Sequence, residues 1–167
     1  MIHVYTGDGK GKTTAALGLA LRAAGAGLKV YICQFLKSRP TSELTALHKL
    51  KKITVKQCGS QCFIRKSPAK KDIELAQGGF QAARKAIASG AYSVIILDEI
   101  NCAVNLKLIG IEEVVSLLKG TPSCVELVLT GRNAPKQIKD CADLVSEIKE
   151  IKHYFKKGIN ARKGIEY

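Results

Sequence analysis

The amino-terminal region contains a glycine-rich segment with the residue types that bind phosphate. Glycines let backbone N–H groups approach phosphate oxygens, and the N-terminus of a helix adds positive potential. Lys12 is placed to reach the terminal phosphates of a nucleotide, and the Thr13 hydroxyl is placed to bind Mg²⁺. The residues that we expect to bind the nucleotide are Thr6, Gly7, Asp8, Gly9, Lys10, Gly11, Lys12, Thr13 and Thr14.

This segment departs from the common phosphate-loop pattern at one position. The pattern G-x4-G-K-[ST] requires a glycine five residues before Gly11, and Thr6 stands there. A glycine-rich turn that binds nothing is the alternative interpretation. The run from Gly11 to Thr14, between a strand-like and a helix-like segment, favours phosphate binding.

Asp98 and Glu99 form an acidic pair directly after the apolar run 93–97. Carboxylates at the end of a buried strand are costly without a cation, and P-loop proteins use such a carboxylate to hold Mg²⁺. We therefore expect a magnesium site made by Thr13, Asp98 and Glu99. The sequence does not distinguish which carboxylate contacts the metal. The alternative is that the acidic pair caps a following helix.

Arg132 follows the next apolar strand, in the segment 130–133. An arginine at this point can bind a phosphate through two parallel hydrogen bonds, so we include Arg132 among the ATP-binding candidates. A salt bridge or a solvated side chain is the alternative interpretation.

The sequence lacks several motifs that other catalytic mechanisms require. It has no nucleophilic Ser or Cys motif, no His general base with a partner, and none of the catalytic segments of protein kinases. The chain is therefore a nucleotide-driven switch or motor, or its reaction uses a nucleophile that needs no protein base.

The elements that must position these residues alternate between strands and helices. This pattern predicts a three-layer α/β/α fold, in which helices cover both faces of a mostly parallel sheet. Ligands of such sheets bind at the carboxyl ends of the strands, where the three segments above fall. The predicted strands are 2–6, 28–35, 53–57, 93–97, 125–130 and 144–148; the predicted helices are 12–25, 42–50, 72–88, 111–118 and 135–141; residues 59–68 are predicted as a loop, and the tail from Lys152 as basic and irregular.

Length and composition predict a cytoplasmic protein of one domain. The chain has 167 residues, 46% of them apolar, which suffices for a sizeable core. It has no run of about 18 apolar residues that could span a membrane, and Met1 leads directly into a strand-like segment without the pattern of a signal peptide.

The charge distribution indicates an anionic partner. The chain carries 27 basic and 14 acidic residues, and residues 1–71 hold 14 of the basic ones but only 2 of the acidic ones. Such an asymmetric charge suits a nucleotide, a nucleic acid or another phosphorylated ligand. For most of the individual lysines, a solvated surface position is the simpler interpretation.

The six cysteines indicate reduced thiols. Cys33, Cys102, Cys124 and Cys141 lie in or beside apolar segments, where a free cysteine behaves as a small apolar residue. Cys58 and Cys62 form a single C-x3-C pair, and a structural zinc site would need a second pair.

The ordered set of these segments resembles the P-loop corrinoid adenosyltransferases over nearly the whole chain. That family has a phosphate loop without the first glycine, so Thr6 fits its pattern. The resemblance implies a RecA-like P-loop fold, a single domain over residues 1–167 and a homodimer. It rests on residues 5–16, 34–37, 59–64, 97–100, 129–135, 142–147, 152–153, 158–159 and 163–167.

The resemblance also implies a reaction. Cobalt(I) of a corrinoid attacks the C5′ carbon of ATP and inorganic triphosphate leaves, in the biosynthesis or salvage of adenosylcobalamin. The corrinoid would be cobalamin, cobinamide or cobyrinic acid diamide, and an electron donor such as a reduced flavoprotein would supply the reduced cobalt. Among the residues, it implies catalytic roles for Lys12, Thr13 and Glu99, with Glu99 as the metal-binding acid, and it places Asp8 near the nucleoside.

Cys62 and Phe63 fall in the loop that, in the family this chain resembles, helps to remove the lower axial ligand from cobalt. The resemblance therefore makes these two residues the corrinoid-binding candidates. An apolar anchor of the core is the alternative for Phe63, because phenylalanine is commonly buried.

Two other functions remain as alternatives. The basic half of the chain would suit an ATPase that binds nucleic acid, but aromatic residues make up only 5% of the sequence and offer no stacking platform for bases. A small-molecule kinase would need a positioned base and usually an arginine-rich lid.

Overall fold

One six-stranded parallel sheet forms the centre of the molecule, as seen in a computed structural model that describes residues 1–60 and 67–167. The strands are β1 (Ile2–Thr6), β2 (Val30–Phe35), β3 (Ile53–Cys58), β4 (Val94–Asp98), β5 (Glu126–Thr130) and β6 (Leu144–Glu147). They stand in the order β3-β2-β4-β5-β1-β6. The helices are α1 (Lys12–Gly25), α2 (Ser42–Leu47), α3 (Lys70–Ala88), α4 (Ile100–Asn105), α5 (Ile111–Lys119) and α6 (Lys136–Asp140), followed by a 3-10 helix (Tyr154–Lys157).

The central strands β2 and β4 are buried along their whole length. Both are apolar on the two faces, as expected of parallel strands that are covered by helices on each side. The edge strand β6 is exposed at all four positions. The prediction of a parallel sheet with a fully buried strand before Asp98 is confirmed.

Two apolar clusters cover the two faces of the sheet. On one face, the small side chains Ala16 and Ala20 of α1 pack in a cluster with Ile32 and Ile96 of the central strands. On the other face, α3, α4, α5 and α6 contribute to a larger cluster that contains Phe80. These layers confirm the predicted three-layer α/β/α fold.

The strand register brings polar residues together at the carboxyl edge of the sheet. Tyr5 pairs with Thr130, so the ends of β1 and β5 are level. Gln34 pairs with Asp98, so the ends of β2 and β4 are level as well. Because all the strands are parallel, the loops that follow them meet at this edge.

Several predicted bounds differ from the structure by one or two residues, as at β2, which begins at Val30, and α3, which begins at Lys70. Three differences are larger. Helix α4 begins immediately after Glu99 and was absent from the predicted helices, and α2 ends at Leu47 instead of extending to residue 50. The tail, predicted as irregular, contains the 3-10 helix. Within the described residues, none of the helices has the length and apolar character needed to cross a membrane.

Candidate active site

The glycine-rich segment forms a turn between β1 and α1. Helix α1 begins at Lys12, and its preceding residue, Gly11, has a φ of 124° that L side chains rarely adopt. The first turn of α1 contains no acidic residue, so the positive end of the helix is not neutralised locally. This is the strand–turn–helix arrangement that the sequence predicted for a phosphate site.

Gly7 and Gly9 have a role that the sequence did not reveal. Residues 148–167, which we call the C-terminal strap, run back across the turn after β6. The Ile148 N–H donates to the Thr6 carbonyl at 2.8 Å, and the Gly9 N–H donates to the Ile148 carbonyl at 2.7 Å. A Cβ atom on Gly7 would lie 2.4 Å from the Ile148 carbonyl oxygen, and one on Gly9 would lie 2.8 Å from it. These two glycines therefore permit close packing of the strap.

Lys12 is almost completely buried beneath the turn. Its ammonium group donates to the Gly9 carbonyl at 2.7 Å. Burial lowers the pKa of Lys12, and the nearby Arg132 charge acts in the same direction, while Glu99 opposes both. A polyanion bound in front of Lys12 would offset the burial and favour the charged lysine.

Asp98 is fully buried at the end of β4, and its carboxylate accepts four hydrogen bonds. Thr13 and Thr130 donate through their hydroxyl groups to Oδ1, at 2.8 and 2.7 Å. Gln34 donates to Oδ2 at 3.2 Å, and the Lys37 ammonium donates to the same atom at 2.8 Å. An ionised carboxylate has about four acceptor positions, so these donors account for them.

Lys37 was not predicted as a site residue, although the segment 34–37 contributed to the family resemblance. It follows β2 at the carboxyl edge, after Leu36, whose φ is 61°. Burial alone would lower the pKa of Lys37, but the facing Asp98 carboxylate outweighs it and raises the pKa overall. Only the position of Lys37 in the sequence could have indicated it, because the end of β2 lies beside the end of β4 in such a sheet.

Glu99 faces the same cavity as the turn but differs from Asp98 in its surroundings. Its backbone is left-handed, with a φ of 64°, and its N–H donates to the Thr130 hydroxyl at 2.9 Å. Glu99 stands at the N-cap position of α4, but within the described part of the chain its side chain makes no capping hydrogen bond. Glu99 therefore occupies the cap position that the alternative interpretation gave to the acidic pair, but its side chain does not cap the helix.

Cys102, in the first turn of α4, lies next to the Glu99 carboxylate. Burial, followed by the neighbouring Glu99 carboxylate, raises the pKa of the Cys102 thiol to about 12. The Cys102 thiol therefore stays protonated at neutral pH and is not suited to act as a nucleophile.

The backbone of the segment after β5 is held by hydrogen bonds to side chains of β1 and α4. The Ala134 N–H donates to the Thr6 hydroxyl at 3.0 Å, which gives Thr6 a structural function in this turn. Asn105 donates to the carbonyls of Arg132 and Asn133 at 3.3 and 3.0 Å. Arg132 itself is exposed and points its side chain to the cavity rim.

These residues surround a cavity of about 1000 Å³. One end is polar and contains the turn with Lys12, Thr13, Glu99 and Arg132. A second wall is apolar and comes from α1, the end of β2 and the α2 region. The apolar lining residues are Leu17, Leu21, Leu36, Ala46, Leu47 and Leu50, and the strap adds His153, Gly164, Ile165, Glu166 and Tyr167.

The residues predicted to bind the nucleotide and the metal thus lie together at the polar end of this cavity. The two corrinoid candidates cannot be compared with them. Cys62 and Phe63 lie outside the described residues. Cys58, the other cysteine of the C-x3-C pair, is buried, and its Sγ lies 3.7 Å from Cys33 Sγ. Across residues 1–60 and 67–167, no group of three or more His, Cys, Asp or Glu side chains is arranged to hold a metal ion.

Comparison with known proteins identifies the family. The model of the family described as ATP:corrinoid adenosyltransferase BtuR/CobO/CobP matches residues 1–167. The chain belongs to this family. The corrinoid adenosyltransferase of Salmonella typhimurium is 35% identical over 170 residues, which cover 100% of this chain and 85% of the relative. The family consists of transferases whose name gives ATP and a corrinoid as substrates.

Two further similarities bear on length and fold. An uncharacterized protein of Nostoc sp. is 40% identical over 167 residues, and the match covers 91% of this chain but 44% of that longer protein. A KaiC-like protein from Pyrococcus horikoshii OT3 superimposes with a TM-score of 0.59 over 89% of this chain and 71% of its own, at 15% identity. The expectation of a RecA-like P-loop fold is confirmed.

Proposed function

We propose that this corrinoid adenosyltransferase moves the 5′-deoxyadenosyl group of ATP to cobalt(I) of a corrinoid and releases inorganic triphosphate. The observation that carries the proposal is the cavity, because a polyphosphate cradle at one end continues into a wide apolar wall. Such a cavity suits two substrates, one of them a polyanion and the other a large, partly apolar molecule.

The triphosphate binds at the turn in this proposal. The positive end of α1, the backbone amides of the turn and the Lys12 ammonium stabilise negative charge there. Arg132 at the rim adds a second cation, and Asp8 contacts the nucleoside. The proposed ATP-binding set is Thr6, Gly7, Asp8, Gly9, Lys10, Gly11, Lys12, Thr13, Thr14 and Arg132, with Thr6, Gly7 and Gly9 acting through the shape of the turn.

Thr13 and Glu99 are the proposed magnesium ligands. Both offer oxygen atoms, which are the ligands that Mg²⁺ prefers, and both face the cavity. The Asp98 acceptor positions are occupied by four donors, so we assign Asp98 to orienting the Thr13 hydroxyl and Glu99 to direct contact with the metal. When bound, Mg²⁺ would neutralise part of the charge on the triphosphate.

The reaction needs no protein base in this mechanism. The electron pair of cobalt(I) forms the bond to C5′, the C5′–O bond breaks, and its electrons stay on the departing triphosphate. Lys12 and the amides of the turn stabilise the negative charge that the departing triphosphate gains, which is the largest contribution the protein residues can make. This explains why the sequence contains no nucleophile with a partner base.

The remaining parts of the proposal concern the corrinoid and the assembly. Cys62 and Phe63 are proposed to contact the corrinoid on the side of its lower axial ligand, next to the apolar wall. The natural corrinoid is cobalamin, cobinamide or cobyrinic acid diamide, and a reduced flavoprotein is the proposed class of electron donor. Residues 1–167 act as one domain, two copies of which form a homodimer in the cytoplasm.

An anaerobic assay tests the proposal. The protein is mixed with Mg-ATP and chemically reduced cobalamin, and the absorption spectrum is followed for adenosylcobalamin. Lys12→Ala should lower the rate about 100- to 1000-fold, the usual loss when one donor to a developing anion is removed. Lys51→Ala, which removes an exposed lysine of the same basic half, is the control and should retain the rate. Persistence of reduced cobalamin with wild-type protein would refute the proposal.

A further inference from the structure

The C-terminal strap encloses the glycine-rich turn and ends at α2. It starts with the backbone hydrogen bonds of Ile148 to Thr6 and Gly9, at 2.8 and 2.7 Å. At its far end, the carbonyl of Tyr167 accepts a hydrogen bond from the Ser42 hydroxyl at 2.9 Å. The strap therefore crosses the cavity from the turn to the first residue of α2.

A polar cluster ties the middle of the strap to the turn. The Lys10 ammonium donates to the Tyr154 hydroxyl at 2.7 Å and to Glu166 Oε1 at 2.6 Å. The Tyr154 hydroxyl also donates to Glu166 Oε1. Lys10 is the only member of this cluster that comes from the turn, so the cluster joins residues that are more than 140 positions apart in the sequence.

Arg162 completes the cluster from within the strap. Its backbone N–H donates to Glu166 Oε2 at 2.6 Å, and its guanidinium group donates to both carboxylate oxygens at 3.3 Å. The same guanidinium stacks over the Tyr154 ring, 4.8 Å from its centroid. Hydrogen bonds from Arg162, then from Lys10 and Tyr154, hold the pKa of Glu166 far below its usual range.

This cluster differs from an ordinary surface ion pair. Isolated exposed pairs contribute little, whereas networks with two-pronged arginine contacts are the exceptions. The Glu166 carboxylate accepts hydrogen bonds from five donor atoms on three residues. Its side chain is 16% exposed, and it lines the nucleotide cavity. Its neighbours Ile165 and Tyr167 line the same cavity.

We propose that Glu166 is a positioning residue of the nucleotide site, which fixes the glycine-rich turn through Lys10 and holds the strap as a wall of the cavity. This proposal rests on the proposed binding of ATP at that turn. Glu166 itself carries a negative charge and contacts no phosphate; it acts by keeping Lys10, and with it the amides of the turn, in the shape that receives the triphosphate.

Binding measurements on Glu166→Gln test the proposal, because glutamine keeps the shape of the side chain and removes its charge. By calorimetry, the affinity for Mg-ATP and for inorganic triphosphate should each fall about tenfold, the effect of losing one charge-assisted hydrogen bond. Glu166→Asp should recover part of the loss. Glu150→Gln is the matched control, since Glu150 lies on the same strap, is 21% exposed and pairs with Lys156 instead of the turn.

Limited trypsin digestion independently measures how firmly the strap is held against the turn. Cleavage after Arg162 and Lys163, followed by mass spectrometry, should be slowed by Mg-ATP in the wild type. It should be about tenfold faster in Glu166→Gln and unchanged in Glu150→Gln.

The outcomes separate this proposal from the proposed function. Unchanged or tighter triphosphate binding by Glu166→Gln would overturn the positioning role, since tighter binding would mean that Glu166 competes with phosphate. An equal loss in Glu150→Gln would also overturn it. Failure of wild-type protein to bind ATP, or equal binding by Lys12→Ala, would overturn the proposed function as well.

Discussion

The Lys37–Asp98 ion pair should contribute strongly to stability, and its loss can be predicted from the structure. The side chain of Asp98 is 1% exposed, so its charge depends on protein partners. Lys37→Met removes the cationic partner and leaves three neutral donors. Breaking a buried pair costs about 3–5 kcal/mol. Because the Lys37 side chain is 27% exposed, solvent screens part of its attraction to Asp98. We therefore expect Lys37→Met to lower the free energy of unfolding by about 2–3 kcal/mol.

Urea denaturation at pH 7 measures this loss directly. For a chain of this length, it corresponds to a decrease in melting temperature of about 4–12 °C. Lys136→Met is the control, because it removes an exposed pair with Asp140 of similar length, 2.6 Å, and should cost at most about 0.5 kcal/mol.

A double-mutant cycle identifies the cause. In an Asp98→Asn background the buried charge is already gone, so Lys37→Met should cost less than about 1 kcal/mol. If Lys37→Met is no more destabilising than Lys136→Met, or costs the same in both backgrounds, then Asp98 does not depend on Lys37 and the reasoning is wrong.

Two further predictions concern packing and thiol reactivity. Gly79→Ala should destabilise the protein because its new Cβ would lie 2.5 Å from Cys58 Cβ, whereas Gly78→Ala, with open space around it, should stabilise α3 by about 0.5–1 kcal/mol. Urea denaturation of the two variants compares their free energies of unfolding, and equal changes in the two would contradict the packing described for Gly79. Iodoacetamide at pH 8 should modify Cys124, which is exposed, well before Cys102, whose pKa of about 12 leaves almost no thiolate; peptide mapping that finds Cys102 modified first would contradict the burial described for it.

The sequence predicted the layers of the fold and the phosphate-binding turn because both depend on local patterns. The buried run 93–97 indicated a central strand, and the glycines before Lys12 indicated a turn between a strand and a helix. Helix α4 was missed because the acidic pair before it was interpreted first as a metal site, although its alternative role as a helix cap would have placed a helix there.

The strap and Lys37 were missed for a different reason. The contact between Lys10 and Glu166 joins two ends of the chain, and neither periodicity nor composition reports such a pair. The functions of Gly7 and Gly9 were hidden in the same way, since the backbone that packs against them comes from Ile148 and Lys149. The sequence showed the need for small residues at the turn but not what approaches them.

The nature of the released phosphate compound tests the central claim most directly. In an anaerobic single turnover with Mg-ATP and cobalt(I) cobalamin, ³¹P NMR should detect one equivalent of inorganic triphosphate for each adenosylated corrinoid, with ADP at the level of a protein-free control. Release of ADP and phosphate in place of triphosphate would contradict the claim that the turn holds the whole triphosphate as a leaving group.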